Sequence, residues 1–416
     1  MHLSATESRL STRARAHGAL LFAAILVVAH AWADAPVFET ELVFDPEQAM
    51  EPHGHVHASC IVECPNGDLR VVWYENGREL PEPYFNKQKD KSADVRIAGS
   101  RRQPAAEDWE PAFVMSDTFG VSDNNPCLLV DKQGRLWLFH STLLGVPEWS
   151  WGSAILRFMS ATNYAHPGRP TWETSNVLVV QADGPETVLD AAIALRKADG
   201  WPEDKLNEAR QYIKMASGRL LAKRIGWMPR VHPLVRHDGA ILLPLANENG
   251  GAACVAITDD AGKNWVFSKL VPDLGLSQPT LVEFPGGAIT AFFRNDSGRI
   301  KRSDSADGGL TWGPVSKLDL PNPNSGIEAL LLGSGKLLMV YNDSEKERGT
   351  LAASLSDDNG KTWKWTRHIE QSADGRFDYP SVVQGKDGAI HVSYSFATKA
   401  IKHARFNEAW VMERDK

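Results

Sequence analysis

The chain has 416 residues, 43% of them hydrophobic and 23% charged, a globular profile with ample material for a core. Its formal net charge of −7 comes without any basic cluster, so the attraction to phosphates that drives nucleic-acid binding is missing, and nucleic acid is not an expected partner. Four cysteines, Cys60, Cys64, Cys127 and Cys254, are too few for a disulfide-dependent scaffold. With neither a CxxC nor a His/Cys group at zinc spacing, the sequence predicts buried free thiols, no metal and no cofactor.

Arg9, Arg13 and Arg15 precede an apolar run from Ala19 to Val28, and Ala31-Trp32-Ala33 follows ahead of Asp34. This pattern predicts a secretory signal peptide over 1–33 and a mature domain over 34–416, secreted or periplasmic. The run is too short to span a bilayer, so no stable membrane anchor is expected.

The next apolar stretch, "FETELVF" over 38–44, is expected to pair with the last sheet of the chain and close a ring. Six Gly turns follow, each between two apolar strands: "PNGDLRVVW", "KQGRLWLFH", "HDGAILLPL", "PGGAITAFF", "GSGKLLMVY" and "KDGAIHVSY". Their glycines are Gly67, Gly134, Gly239, Gly287, Gly335 and Gly388, and six hairpins imply six blades of a propeller. An independent repeat, "TDDAGKNW", "SDSADGGLTW" and "SLSDDNGKTW", ends at Trp265, Trp312 and Trp363, a blade-length period. In each box a hydroxyl and a carboxylate can bond turn N–H groups, a Gly takes the positive φ, and the Trp packs between blades. Degenerate boxes around Trp109 and Trp172 extend the series.

Gly134 and Gly239 are 105 residues apart, about twice the other spacings, which predicts an insertion at about 141–228. Within it Leu206, Ala209, Ile213 and Ala216 recur at helical spacing between Pro202 and Gly218. The predicted fold class is therefore all-β, a six-bladed β-propeller with an inserted helical segment after the second blade's hairpin.

In a propeller the innermost strands line one axis, so polar residues at their starts converge on one mouth. Those runs supply His57, Asn125, Arg230 and His232, Gln278, Asn324 and Glu328, and Tyr379. The ends of the second strands add Arg78, Glu79, Glu248 and Arg294. Arginines clamp carboxylates bidentately and amides address hydroxyls, so the inventory suits a polyhydroxylated, acidic ligand.

The boxes, with "QPTLVEFPGGAITAFFRND", "DLPNPNSGIEALLLGSGKLLMVYND" and "DYPSVVQGKDGAIHVSYS", resemble the bacterial BNR-repeat (Asp-box) sialidase-like proteins, the predicted neuraminidases. The resemblance runs from about His53 to Trp410. It implies a sialidase-type propeller and an exo-acting glycoside hydrolase with a Tyr nucleophile, an Asp acid and an arginine clamp. Tyr379 matches the Tyr, Arg294 one of the arginines, and Asp94 in "SADVRI" the acid. Two positions depart: His57-Ala58-Ser59-Cys60 stands where the family has Phe/Tyr-Arg-Ile-Pro, and Gln278 where the Glu partner of the Tyr is expected. Arg78 and Arg230 are then the candidates to rebuild the clamp, and Glu248 or Glu328 to supply the base.

Three readings follow. The first is a hydrolase of a terminal acidic sugar, sialic or uronic acid, with Tyr379 as nucleophile, Asp94 or Glu79 as acid/base, and Arg230 and Arg294 on the carboxylate. The second is a uronate lyase using Tyr379 with His57 or His232. The third is a carbohydrate-binding propeller without catalysis. In each the partner is a glycan and the protein is expected to be a monomer.

Overall fold

The computed structural model describes residues 35–47, 55–76, 90–145 and 150–415. The signal peptide expected over 1–33 lies outside the described residues, as do Arg78 and Glu79.

The strands pair into six small antiparallel sheets, the blades of a propeller. Blade one comprises Val56–Glu63, Leu69–Asn76, Val95–Arg102 and Phe113–Ser116, and blade two Ser122–Val130, Leu136–Leu143, Ala154–Ala161 and Thr174–Leu178. In blade three, a Pro229-to-Pro233 break splits the inner strand into Trp227–Met228 and Leu234–Val235; Ile241–Asn247, Ala253–Thr258 and Val266–Phe267 follow. Blade four is Ser277–Glu283, Ile289–Arg294, Arg299–Ser305 and Ser316–Pro321. Blade five is Glu328–Leu331, Leu337–Tyr341, Thr350–Ser356 and Trp365–Gln371. Blade six takes Phe377–Gln384, Ile390–Phe396 and Ala400–Phe406 from the C-terminal region and its outermost strand, Phe38–Phe44, from the other end of the chain. Phe38 pairs with Phe406 and Leu42 with Lys402, so the first strand covers the edge that the last would otherwise leave open.

The six hairpin glycines all take the left-handed turn conformation, with φ from +76° to +96°. Between blades the core divides into layers, each anchored by one Trp that reaches the preceding blade. Trp109 meets His403 of blade six, and Trp172 donates to the Met115 carbonyl of blade one. Trp265 packs on Phe139 and Phe158 of blade two, and Trp312 donates to Ser268. Trp363 packs among residues of blades four and five, and Trp410, from the helix Glu408–Met412, seals blades five and six. All four cysteines are buried and free.

The boxes are turn staples. Ser305 Oγ accepts from Gly309 N at 3.0 Å and donates to Asp307, whose Oδ1 accepts from Leu310 N and Thr311 N. The boxes at Thr258 and Ser356 repeat the arrangement. Ser305→Ala removes the acceptor for a buried N–H and is expected to cost about 1–2 kcal/mol, read as a lower unfolding midpoint in denaturant with an unchanged slope.

Three helices, Leu189–Ala198, Glu203–Ser217 and Leu220–Arg224, lie between the outer strand of blade two and the inner strand of blade three. The second buries Leu206, Ile213 and Ala216 and is flanked by Pro202 and Gly218, as the periodicity predicts. Residues 154–178, which the wide glycine spacing assigned to the insertion, instead complete blade two. The long blade-to-blade connection widens that interval, so spacing alone could not locate it.

Candidate functional site

In four blades the innermost strand breaks register at one residue in the left-handed region: Ala58 (φ 58°), Asn125 (49°), Gln278 (48°) and Tyr379 (54°). In three of these blades a proline follows, Pro126, Pro279 or Pro380, and without an N–H it cannot complete the ladder. Such a conformation costs a non-glycine residue about 1–3 kcal/mol and marks places where a strand re-aims a side chain. Here the bulges bring Gln278 and Tyr379, from blades four and six, into contact.

The Tyr379 hydroxyl accepts from Arg294 Nη1 at 2.8 Å and from Gln278 Nε2 at 3.4 Å. The orientation of the Gln278 amide follows from its oxygen, which accepts from the same Arg294 nitrogen at 3.0 Å. Arg294 Nε donates to Asn324 Oδ1 at 2.7 Å. Around the ring stand three guanidinium groups: Arg230 at 4.7 Å from its centroid, Arg294 at 5.8 Å and Arg348 at 5.9 Å. Burial alone raises a phenol, but Arg294, Arg348, the Gln278 bond and Arg230 outweigh it and hold Tyr379 below its ordinary value.

Arg348 is absent from the sequence-predicted set. It arises in the loop after blade five's second strand and is fixed by Asp378, to which Nη1 donates at 2.6 Å, and by the Asn324 carbonyl at 2.6 Å. Arg376 holds the other Asp378 oxygen through Nε while its side chain stays 54% exposed. Asp378, wholly buried, thus aligns two arginines at the mouth. The signal was within reach: "RFDYPS" places an acid between Arg376 and Tyr379, but nothing local pairs it with a residue 30 positions upstream.

The other predicted residues divide. His57 stacks edge-on against Tyr379 at 4.4 Å and shares its Nδ1 with Ser395 Oγ. Burial, then His55 and the arginines 230, 376 and 348, push its pKa well below the ordinary value, so the ring is neutral. Asn125 is buried, its amide against the Met228 sulfur at 3.6 Å. Glu248 is exposed, and partial desolvation raises its carboxyl above the usual range against the pull of Arg294 and Lys91. The carboxylate of Asp94 is engaged by Asn76, at 3.2 Å, and by Ser92, neither of which belongs to the arginine cluster.

Arg230, His232 and Glu328 lie deeper. Arg230 donates from Nη2 to the Tyr379 carbonyl at 2.6 Å and from Nη1 to the Ser59 carbonyl at 3.3 Å, its Nε is unpartnered, and the whole residue is buried, so the substrate clamp expected of it does not fit its place. Glu328 accepts from the His232 N–H at 3.1 Å, from His232 Nδ1 at 2.6 Å and from Val382 N at 2.7 Å, joining blades three, five and six. That commitment is structural and leaves Glu328 unavailable as a base for Tyr379. His232 and Glu328 face a cavity of 440 Å³, lined by all six inner strands and mostly apolar. Among the described residues no cluster of His, Cys, Asp and Glu could hold a metal ion.

Six blades, three of them stapled by the boxes at Thr258, Ser305 and Ser356, surround an arginine-ringed tyrosine in a six-bladed β-propeller. Residues 224–392 match the BNR repeat-like domain family. No curated protein sequence matches the chain. A Hadza microbial sialidase has the same fold, with a TM-score of 0.66 and 13% identity over 89% of this chain and 69% of its own. So does the NanB sialidase of Streptococcus pneumoniae (0.64, 12%, over 89% and 71%). A protein of unknown function from Dyadobacter fermentans (0.64, 17%) is matched over 89% of this chain and 98% of its own.

Proposed function

We propose that the protein is an exo-acting glycoside hydrolase that removes a terminal acidic sugar, sialic or uronic acid, from glycans. The signal-like N-terminus places it outside the cytoplasm in this reading. The observation that carries the proposal is the Tyr379 hydroxyl, which accepts two N–H bonds amid three arginines. Both bonds favour the phenolate, so cations here do what a neighbouring carboxylate base would do elsewhere.

Arg294, Arg348 and Arg376 face the mouth and hold the sugar carboxylate. Tyr379 Oη attacks the anomeric carbon as the glycosidic C–O bond breaks, and the Glu248 carboxylic acid delivers a proton to the departing oxygen. Water then attacks the tyrosyl-sugar carbon, Glu248 takes its proton, and the phenolate leaves. The neutral His57 packs beside the ring and needs no proton to do so.

The test is a product screen on mixed sialylated and uronate-bearing glycans. Free acidic monosaccharide supports the reading. Ultraviolet-absorbing unsaturated products identify a lyase instead, and tight binding without products identifies a lectin-like propeller. Gln278→Glu sharpens the mechanism. An anion beside Oη disfavours the phenolate, so the acidic limb of kcat/KM is expected to move to higher pH; a faster enzyme with an unmoved limb would show that the tyrosine needs a carboxylate base.

A further inference from the structure

We propose that Arg230 is the positioning residue for Tyr379: lying beneath the ring, its guanidinium fastens the carbonyls of two bulges, from blades one and six, and so holds the hydroxyl within reach of Arg294. Nη2 donates to the Tyr379 carbonyl and Nη1 to the Ser59 carbonyl, 2.6 and 3.3 Å away. Tyr379 and Ala58, the residue before Ser59, both have left-handed backbones, at φ 54° and 58°. Such conformations persist where the surroundings over-determine them, and Arg230 bonds a carbonyl at each bulge. The same planar group lies 4.7 Å from the phenol ring, a combination of fork and flat face that an ammonium cannot reproduce. Arg230 is wholly buried, whereas Arg294, Arg348 and Arg376 keep contact with solvent, where a substrate carboxylate would arrive.

The kinetic part of this inference rests on Tyr379 acting as nucleophile, but its spectroscopic part does not. Arg230→Met and Arg230→Lys are made in the full chain and checked for native circular dichroism. Ionisation of Tyr379 is followed by tyrosinate absorbance, with Tyr379→Phe as the blank. Arg230→Met is expected to titrate Tyr379 at higher pH and to lose about 10- to 100-fold in kcat with KM unchanged, the cost of a misplaced reacting group. Arg230→Lys keeps the charge but not the fork, and is expected to recover the titration in part and little of the rate.

A folded Arg230→Met with native titration and native kcat overturns the proposal, as does a rise in KM with kcat intact, which would mean direct contact with substrate. If the Met variant does not fold, a Lys variant native in both respects overturns it equally. If no acidic glycan is turned over, the titration alone decides, so failure of the hydrolase reading and failure of this one remain separate.

Discussion

Tyr379→Phe is expected to lower kcat by about 10³- to 10⁴-fold, with KM changed little and the far-ultraviolet spectrum unchanged. The change deletes one oxygen and keeps the ring, so His57 and Arg230 retain their packing partner. What disappears is the acceptor shared by Arg294 and Gln278, and with it the atom that forms the bond to the sugar. Arg294 stays anchored through Asn324 and Gln278, so carboxylate binding persists while chemistry stops. Steady-state kinetics on the best acidic substrate separate the two terms.

Glu328→Ala is expected to cost about 3–5 kcal/mol of stability, because a buried ion pair loses one partner and the other is left uncompensated. His232 would stay in the channel without its carboxylate, and the N–H groups of His232 and Val382 would lose their acceptor. The native pair also carries a pH signature. Burial opposes charge on His232, but Cys60 and Glu328 beside it more than compensate and hold its pKa well above 6.5. A histidine raised on folding contributes stability that is complete below its unfolded value and is lost as pH climbs through the folded one. The native unfolding midpoint should therefore fall as pH rises from about 6.5 into the alkaline range, and in Glu328→Ala that slope should flatten. Denaturant unfolding across this range checks both statements.

The fold was legible because propeller repeats are local. A Gly turn with φ near +85° and a boxed Trp leave a signature within a dozen residues, and the six glycines counted in the sequence are the six hairpins of the structure. The insertion's helix was legible for the same reason, its apolar period surviving between Pro202 and Gly218. Its limits were not, because strands Ala154–Ala161 and Thr174–Leu178 carry only a degenerate box. At the site, the sequence supplied the residue types at the inner-strand starts but neither the bulges that aim them nor their depth. Arg230 and Arg294 look alike in sequence, yet one is sealed beneath the ring and the other reaches its hydroxyl. Arg348 escaped notice because it enters from a loop and is tied to the mouth only through Asp378.

The most direct measurement is intact-protein and peptide mass spectrometry after exposure to an acidic-sugar fluoride carrying a second fluorine beside the anomeric carbon, which slows breakdown of a glycosyl-enzyme. A mass gain of one sugar, mapped to Tyr379 and lost in Tyr379→Phe, is the predicted result. Turnover of natural substrate with no adduct, or an adduct on any other residue, would contradict it.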